Sequence, residues 1–314
     1  MSARRVTVRA PAKINLMLSV LGRRADGYHE LDGVMMALEL GDVLTAEAGG
    51  MECSLSLHGP AAAGVPSDGT NLALRSVRAV RELAERRGLA PEGVRLVLEK
   101  HVPAQAGLGG GSADAAAAAL ACAELWGLDP DDPEILEALA ALGSDCVFFL
   151  AARASGLARC TGRGERVEPL PPLSLPWSLA LVTPAFGCST AAVYRALAPE
   201  EARGSRPPFD PRALSMGPLD RARALLGNDL EPAAERAHPE LKRFRAHLEE
   251  HAPGAFRLAG SGSSWFGFFD DDASARSALE RLHGESRGRR YALRGQWVLA
   301  ARSRGMEALD SNAH

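Results

Sequence analysis

Alternation of apolar and polar residues dominates the first part of the chain. Residues 4–10 and 14–21 alternate with the two-residue period of a β-strand, and the same period returns at 33–40, 43–48 and 52–58. Glycine, aspartate and glutamate residues separate these segments, as is typical of turns. The pattern therefore predicts a β-rich start.

Helical periodicity replaces this alternation further along the chain. The first helix is predicted over 71–87, because apolar residues share one face and Gly88 follows as a C-terminal stop. A strand predicted over 93–100 leads into a glycine-rich loop at 101–111. Two more helices follow, over 112–126 and 132–142.

The second half of the chain, which opens near Gly156, mixes both periods. Strands are predicted over 177–183, 256–259, 265–269 and 291–301, and helices over 190–198, 218–226, 230–250 and 273–283. The proline-rich stretch 199–218 predicts a long loop. Runs of strands with helices laid on one face indicate an α+β fold of two sandwiches.

The composition limits the classes of protein to which the chain can belong. With 314 residues, of which 46% are hydrophobic, it can bury two cores unaided, so we expect a monomer or a weak homodimer. A net charge of -3 argues against nucleic acid as a partner. No segment has the pattern of a membrane span or a secretion signal. Five scattered cysteines without C-x-x-C spacing fit reduced thiols, which predicts a cytoplasmic protein.

Lysine and asparagine are unusually scarce. Of 36 basic residues only three are lysines, and the few residues of these two types are Lys13, Lys100, Lys242, Asn15, Asn71, Asn228 and Asn312. Codon bias is one explanation. The other is that they remain where arginine cannot replace a compact ammonium with three rotatable donors. Under that interpretation each of them marks a candidate site.

The segment 103–112 places four glycines between a predicted strand and a predicted helix. Glycine lets backbone amides approach an anion closely, and a helix N-terminus adds about half a positive charge. The loop lacks the Gly-Lys-Ser/Thr ending of a Walker A motif, and it does not open a dinucleotide-binding unit. It predicts a phosphate-binding site of another kind.

Three strings, spread over almost the whole chain, resemble the motifs of the GHMP kinases. They are Pro11–Asn15, Gly107–Ala116 and Leu258–Ser264, the last resembling a glycine-rich loop that packs beside the phosphate loop. The resemblance implies a small-molecule kinase that uses ATP and Mg²⁺. It also implies an N-terminal ribosomal-protein-S5-domain-2-like domain and a C-terminal ferredoxin-like α/β sandwich. We accordingly expect an ATP-binding and catalytic domain, a substrate-binding domain and a flexible tail, at 1–160, 161–303 and 304–314.

A fourth string, Arg24–Leu31, resembles the substrate-recognition loop of one GHMP subfamily. That subfamily phosphorylates the 2-hydroxyl of a methylerythritol linked to cytidine diphosphate, in a route to isoprenoid precursors. The resemblance implies that Tyr28 stacks on the cytosine, that His29 bonds its edge, and that Phe186 covers its opposite face. An aromatic face beside a directional donor and acceptor suits a pyrimidine.

The catalytic residues are expected from the same resemblance. Gly143–Phe148 corresponds to the string that carries the subfamily's catalytic aspartate, which makes Asp145 the expected base. Lys13 is expected beside it, where its charge keeps the carboxylate ionised. Cys146 and Val147 replace the usual valine and proline, which affects the expected rigidity of the loop more than its chemistry.

The binding residues follow in the same way. Asn15 is expected near the methylerythritol hydroxyls, and Ser112 is expected to contact Mg²⁺. The residues expected to bind ATP are Asn71, Lys100, Pro103, Ala104, Gln105, Ala106, Gly107, Leu108, Gly109, Gly110, Gly111, Ser112 and Ala113.

Three other interpretations stay open. His247 and His251 fit the H-x-x-E-H pattern of zinc peptidases, although a solvated helix face better explains a charged run without a third ligand. A nucleotide-binding module without activity is a second alternative, which the presence of Lys13 and Asp145 disfavours. A GHMP kinase for mevalonate or homoserine is the third, which Tyr28 disfavours.

Overall fold

Two β-sheets form the framework of the protein, whose computed structural model describes residues 4–198, 200–201, 209–283 and 291–311. Within these ranges the first sheet has eight strands: β1 (Arg5–Arg23), β2 (His29–Ala48), β3 (Ser54–His58), β4 (Val94–Glu99), β5 (Leu157–Gly162), β6 (Arg166–Pro169), β8 (Gly227–Asn228) and β12 (Glu307–Ser311). The second has four, in the order β11-β7-β10-β9: β7 (Ser174–Pro184), β9 (Phe256–Leu258), β10 (Trp265–Phe269) and β11 (Leu293–Arg302).

Helices pack on both sheets, which confirms the α+β class. They are α1 (Leu72–Arg86), α2 (Gly110–Trp126), α3 (Pro133–Leu142), α4 (Ser144–Ala151), α5 (Thr190–Arg195), α6 (Leu219–Leu225), α7 (Glu231–Ala237), α8 (Pro239–His251) and α9 (Asp272–Arg281). A short 3₁₀ helix spans Pro211–Ser215.

Strands β1 and β2 are long enough to serve both halves of the first sheet. The second half of β2 pairs with β4 and its first half with β5, while β1 carries β12 and β8. The β1–β2 register shifts between Pro11 and Lys13, where Gly41 lies opposite Pro11. A β-carbon at Gly41 would lie 2.7 Å from the Ala10 carbonyl oxygen, so this kink requires glycine. The predicted pairs of short strands are therefore two continuous, kinked strands.

Helix α2 lies at the centre of the first core. Its alanines at 115–119 are fully buried, and their small side chains let α1, α4 and the sheet approach closely. A second core, around Trp265 and Phe244, lies between the second sheet and α8. A third joins the two sheets and contains Ile14 of β1 and Phe266 of β10.

The flexible tail expected over 304–314 is in part a strand. Residues 307–311 form β12, which runs antiparallel to β1, whereas 312–314 lie outside the described residues. All five side chains of β12 are exposed, so no apolar alternation marks the strand in the sequence. The expected domain boundary at residue 160 falls inside β5, and β8 and β12 also return to the first sheet.

Two predictions in the second half also need correction. The helix expected over 230–250 is two helices that meet at His238, because Pro239 has no amide hydrogen to continue the first. His247 does not lie on a solvated face: it is fully buried, and its Nε2 lies 2.8 Å from the Leu282 carbonyl oxygen. Of the expected loop at 199–218, residues 199 and 202–208 lie outside the described chain.

A buried ion triad ties the end of β4 to β2 and α2. Nζ of Lys100 donates to Asp42 and, at 2.6 Å, to Asp114, and all three side chains are buried. Oδ1 of Asp42 also accepts hydrogen bonds from the amides of His101 and Val102 at 2.5 and 2.8 Å. Burial lowers the pKa of Lys100, but the charges of Asp114 and Asp42 outweigh it and leave the pKa raised. Burial leaves the pKa of Asp114 raised, although the charge of Lys100 lowers it, and Asp114 Oδ1 has no hydrogen-bond partner among the described residues.

Asp42→Ala should lower the free energy of unfolding by about 3–5 kcal/mol, because it removes one of the two carboxylates that pair with a buried ammonium. Chemical denaturation measures the difference. Asp131→Ala is the control, since Asp131 forms an exposed pair with Arg153 and its loss should cost at most about 1 kcal/mol. Equal losses in the two variants would show that the triad stabilises the fold no more than a surface ion pair does.

Candidate active site

A cavity of about 480 Å³ lies between β1, the loop before α2 and the loop before α1. Residues 103–112 all line it, as do Lys13, Asn15, Asn71 and Lys100. Ala113 is fully buried behind the loop and does not line the cavity. The structure thus brings together all but one of the residues that the sequence predicted for ATP.

The loop at 103–112 depends on its glycines. Gly107 and Gly109 have φ values of 77° and 71°, in the left-handed region that favours glycine. A β-carbon at Gly107 would lie 2.2 Å from the carbonyl oxygen of Ala259, in the loop that corresponds to the third motif. The amide of Ser264 donates to the Ala106 carbonyl at 3.0 Å. The two glycine-rich loops therefore pack directly against each other, as the resemblance implied.

Asn228 holds the second of these loops in place. Its side-chain amide donates to the carbonyls of Leu258 and Gly260 at 3.0 and 2.7 Å, and its Oδ1 accepts from the Leu230 amide. This buried asparagine is one of the scarce residues, and its role is to fix backbone rather than to line the cavity.

Helix α2 begins at Gly110, two residues earlier than predicted, and points its N-terminus at the cavity. Its N-cap is Gly109, which offers no side-chain acceptor to the amides of the first turn. Amides of this kind and the helix dipole make a binding site for an anion. The loop and the helix together can therefore hold phosphate oxygens.

Lys13 and Asp145 meet at the other side of the cavity. Nζ of Lys13 lies 3.3 Å from Asp145 Oδ2 and donates to Asn15 Oδ1 at 2.9 Å. The Lys13 side chain is 7% exposed and that of Asp145 is 34% exposed, so the carboxylate is the more accessible partner. The Lys13 amide also donates to the Leu108 carbonyl at 2.9 Å, which joins β1 to the glycine-rich loop.

Helix α4, which the sequence analysis missed, presents Asp145 from its first turn. A carboxylate is stabilised at this end of a helix by the dipole. Cys146 and Val147 are both buried in the first core, and burial raises the pKa of Cys146 to about 12. The unusual residues beside Asp145 are thus neutral packing groups within a short helix.

A second cavity, of about 940 Å³, adjoins the first. It is lined by Tyr28 and His29, and the residues common to both cavities are Leu31, Ser112, Asp145, Arg163, Thr190 and Tyr194. Asp145 therefore faces both spaces. A molecule in the second cavity can reach the carboxylate while another occupies the first.

Tyr28 and His29 differ in their surroundings. Tyr28 is 56% exposed, and it lines the second cavity. His29 stacks on Tyr194, with ring centroids 5.4 Å apart and an angle of 25° between the planes. Burial and the charge of Arg23 lower the pKa of His29, so its neutral ring offers one donor and one acceptor at pH 7.

Phe186 does not lie where the sequence placed it. It lines neither cavity and packs edge-on against Phe244, with ring centroids 6.3 Å apart, in the second core. Its carbonyl accepts a hydrogen bond from Ser263. Tyr194 is the aromatic residue that both cavities share, and no motif in the sequence marks it.

The rings of His247 and His251 are both hydrogen-bonded to backbone carbonyls and are not arranged to bind a metal ion. Nδ1 of His251 pairs with the backbone carbonyl of His247 at 2.9 Å. Among the described residues, no three His, Cys, Asp or Glu side chains are placed to hold a metal ion. Among the helices in the described ranges, none is both long and apolar enough to cross a membrane.

Comparisons with known proteins agree with this geometry. The family model for the N-terminal domain of GHMP kinases matches residues 71–153, and the model for their C-terminal domain matches 212–286. A 4-diphosphocytidyl-2-C-methyl-D-erythritol kinase from Parvibaculum lavamentivorans is 41% identical over 87% of this chain and 92% of its own length. The kinase of the same name from Cereibacter sphaeroides is 39% identical over 94% and 98% of the two chains.

Solved structures give the same result. The crystal structure of a 4-(cytidine 5'-diphospho)-2C-methyl-D-erythritol kinase has a TM-score of 0.70 and 34% identity, and covers 95% of this chain and 100% of its own. Homoserine kinase from Cytophaga hutchinsonii, at 16% identity and a TM-score of 0.68 over 98% of both chains, shares the fold alone. The two glycine-rich loops, the paired cavities and these similarities agree: the chain belongs to the GHMP kinases, and among them to the family of the 4-diphosphocytidyl-2-C-methyl-D-erythritol kinases.

Proposed function

We propose that this protein transfers the γ-phosphoryl group of ATP to the 2-hydroxyl of 4-diphosphocytidyl-2-C-methyl-D-erythritol, giving the 2-phosphate and ADP. The observation that carries the proposal is the pair of adjoining cavities with Asp145 on their common wall. One cavity is lined by a loop suited to phosphates and the other by Tyr28 and His29. An in-line transfer needs this arrangement, in which donor and acceptor meet at one catalytic group.

ATP occupies the first cavity in this proposal. Its phosphates lie against the amides at the start of α2, where the helix dipole offsets their charge. The same cavity is also lined by Val65, Pro66 and Leu72, which give an apolar surface for the adenine ring.

Asn71 and Lys100 support this cavity in different ways. Asn71 caps α1, since its Oδ1 accepts from the Ala73 amide and its side-chain amide donates to the Pro66 carbonyl. It therefore shapes the end proposed for adenine. The ammonium of Lys100 is committed to its two carboxylates, so its contribution is to fix the loop and not to neutralise the phosphates.

Asp145 accepts the proton of the 2-hydroxyl, and Lys13 holds the reacting groups in line. A carboxylate is a weak base for an alcohol, so proton transfer comes late in a loose transition state. Positioning is then the larger contribution. Nζ of Lys13 lies close enough to Asp145 to orient it, and Asn15, bonded to the same Nζ, has a side-chain amide left to donate to the methylerythritol hydroxyls.

Magnesium suits the common wall of the two cavities. The Ser112 hydroxyl and the Asp145 carboxylate both line it, and Mg²⁺ prefers a few protein oxygens together with phosphate oxygens and water. Ser112 is the residue that would hold it. The ion would supply positive charge to the β- and γ-phosphate oxygens.

Cytosine binds between Tyr28 and His29 in the second cavity. The exposed ring of Tyr28 offers a face for stacking, and His29, held by Tyr194, offers a directional donor and acceptor. The opposite face of the base has no contact from Phe186 in this arrangement. We further propose that the protein acts in the cytoplasm as a monomer or a weak homodimer, with no nucleic acid and no membrane as partner.

Asp145→Asn should reduce kcat by about 10²–10⁴, because it keeps the shape of the side chain and removes the base. Lys13→Ala should be equally severe, and the double variant should be little worse than either, since the two groups act as a unit. ADP release in steady state measures all three. A near-normal kcat for Asp145→Asn would show that Asp145 is not the base and that catalysis depends on positioning alone.

Gly111→Val should raise KM for ATP by about tenfold or more, because its side chain reaches space that the phosphates need. A β-carbon at Gly111 meets only Leu72, at 3.7 Å, so the melting temperature should be unchanged. Gly109 is a poor choice for this test: a β-carbon there lies 3.0 Å from Lys13 and 3.1 Å from Phe149, at a positive φ. An unchanged KM for ATP in Gly111→Val would contradict the loop assignment.

Tyr28→Ala should raise KM for the cytidine substrate by about tenfold and leave KM for ATP unchanged, because stacking on a base contributes about 1–3 kcal/mol. Tyr28→Phe is the matched control and should behave like the wild type. The wild type should turn over the cytidine compound and reject mevalonate, homoserine and galactose, which have no base to stack. Efficient turnover of mevalonate would overturn the proposed substrate, but it would not contradict membership of the GHMP kinases.

A further inference from the structure

Arg163 is the arginine that lies where the two cavities meet. Its side chain is 28% exposed and lines both of them, whereas Arg23 and Arg195 line only the second cavity. The family resemblance and the proposed chemistry leave Arg163 without a role.

The local backbone presents Arg163 to this position. It occupies the turn between β5 and β6, flanked by Gly162 and Gly164, whose φ values are 73° and 105°. The Arg163 amide donates to Glu165 Oε2 at 2.5 Å, which closes the turn. Side chains on the two flanking residues would be strained, so the turn exposes one long cationic side chain and little else.

Within the described ranges, the charge of Arg163 has no close ion pair, although, after the Arg24 hydrogen bond, it helps to lower the pKa of the nearby Asp26. Across the described chain, its one ion pair joins Nε to Glu165 Oε1 at 4.0 Å, the outer limit for such a contact. The guanidinium carbon instead lies 4.8 Å from the centroid of the Tyr28 ring. Stacking of this kind uses the face of the guanidinium and leaves the donors at its edge available to a ligand.

The order of groups along the cavities identifies that ligand. Tyr28 and His29 line only the second cavity and Lys13 only the first. Arg163 and Asp145 line both, and the Arg163 guanidinium lies next to Tyr28 while Asp145 lies next to Lys13. The proposed substrate has its parts in the same order, which is base, diphosphate and alcohol. We infer that Arg163 binds the diphosphate of the cytidine substrate and makes the site selective for a cytidine diphosphate over an uncharged cytidine, an inference that rests on the proposed function.

This role suits arginine better than lysine. The planar guanidinium can stack on Tyr28 and donate two parallel hydrogen bonds to phosphate oxygens at once. Diphosphate binding would thereby also fix the tyrosine ring against which the cytosine stacks. Charge and base recognition are linked through the single contact between Arg163 and Tyr28.

Arg163→Met should raise KM for the cytidine substrate by about tenfold or more, the loss expected for hydrogen bonds to a charged group, with KM for ATP unchanged. Arg163→Lys should recover part of the loss. Arg166→Met is the matched control: Arg166 is an exposed arginine of the same hairpin that lines neither cavity, and its variant should match the wild type.

Direct binding separates a diphosphate contact from a structural effect. Dissociation constants of CDP and of cytidine should be measured by calorimetry with the ATP site filled by a non-hydrolysable ATP analogue. The wild type should prefer CDP, and Arg163→Met should reduce that preference about tenfold while changing cytidine binding little. Equal weakening of CDP binding and cytidine binding would overturn the inference and show that Arg163 only supports the Tyr28 ring. A raised KM for ATP would also overturn it and show that Arg163 contacts ATP instead.

The proposed function and this inference fail in different ways. A wild type that does not phosphorylate the cytidine substrate overturns the function, and the comparison of CDP with cytidine still decides the role of Arg163. An active enzyme whose Arg163→Met variant keeps its KM and its preference for CDP overturns the inference alone.

Discussion

The contact between Lys100 and its two buried carboxylates is the constraint on which the site depends. Lys100 follows β4, Asp42 lies in β2 and Asp114 in α2, so the triad fixes the start of the glycine-rich loop and the helix after it with one set of charges. Burying three ionised or partly ionised groups is costly unless each finds partners. Asp42 meets that condition by also accepting two backbone hydrogen bonds, which anchors the chain as it enters the loop.

The second domain completes a site that the first domain begins. The loop at 258–264 packs against the glycine-rich loop so tightly that Gly107 has no room for a side chain, and Asn228 holds that loop from behind. The two segments are far apart in the sequence but lie in van der Waals contact and share the hydrogen bond from Ser264 to Ala106. The position of the glycine-rich loop is thereby tied to the domain that carries the loop at 258–264.

Sequence patterns predicted the elements with strong periodicity and the residues with motif signatures, and they missed what arises only from folding. Helix α1 begins at Leu72, directly after its cap Asn71 and within one residue of the prediction, and the loop residues meet in one cavity. The role of Asp42 was invisible, because it depends on the register of β2 beside β4 and on Lys100 reaching across it. Strand β12 carries no apolar pattern, and Tyr194 became relevant only when α5 brought it to His29. The predicted position of Phe186 on the cytosine differs from the structure for the same reason, because a sequence motif does not show in which direction a side chain of the loop points.

The residues proposed for catalysis and for base recognition differ in their burial. Lys13 is buried on a long strand, whereas Tyr28 stands exposed in a turn closed by Gly27 and tied by Arg24 to Asp26 and Glu30. Contacts with the distant base cost little to form at such a surface, and they contribute to rate only if they help to place the alcohol at Asp145. A substrate that lacks the cytidine should therefore show a lower kcat as well as weaker binding. The fixed groups of the enzyme can align the hydroxyl only when the cytidine end of the substrate is held.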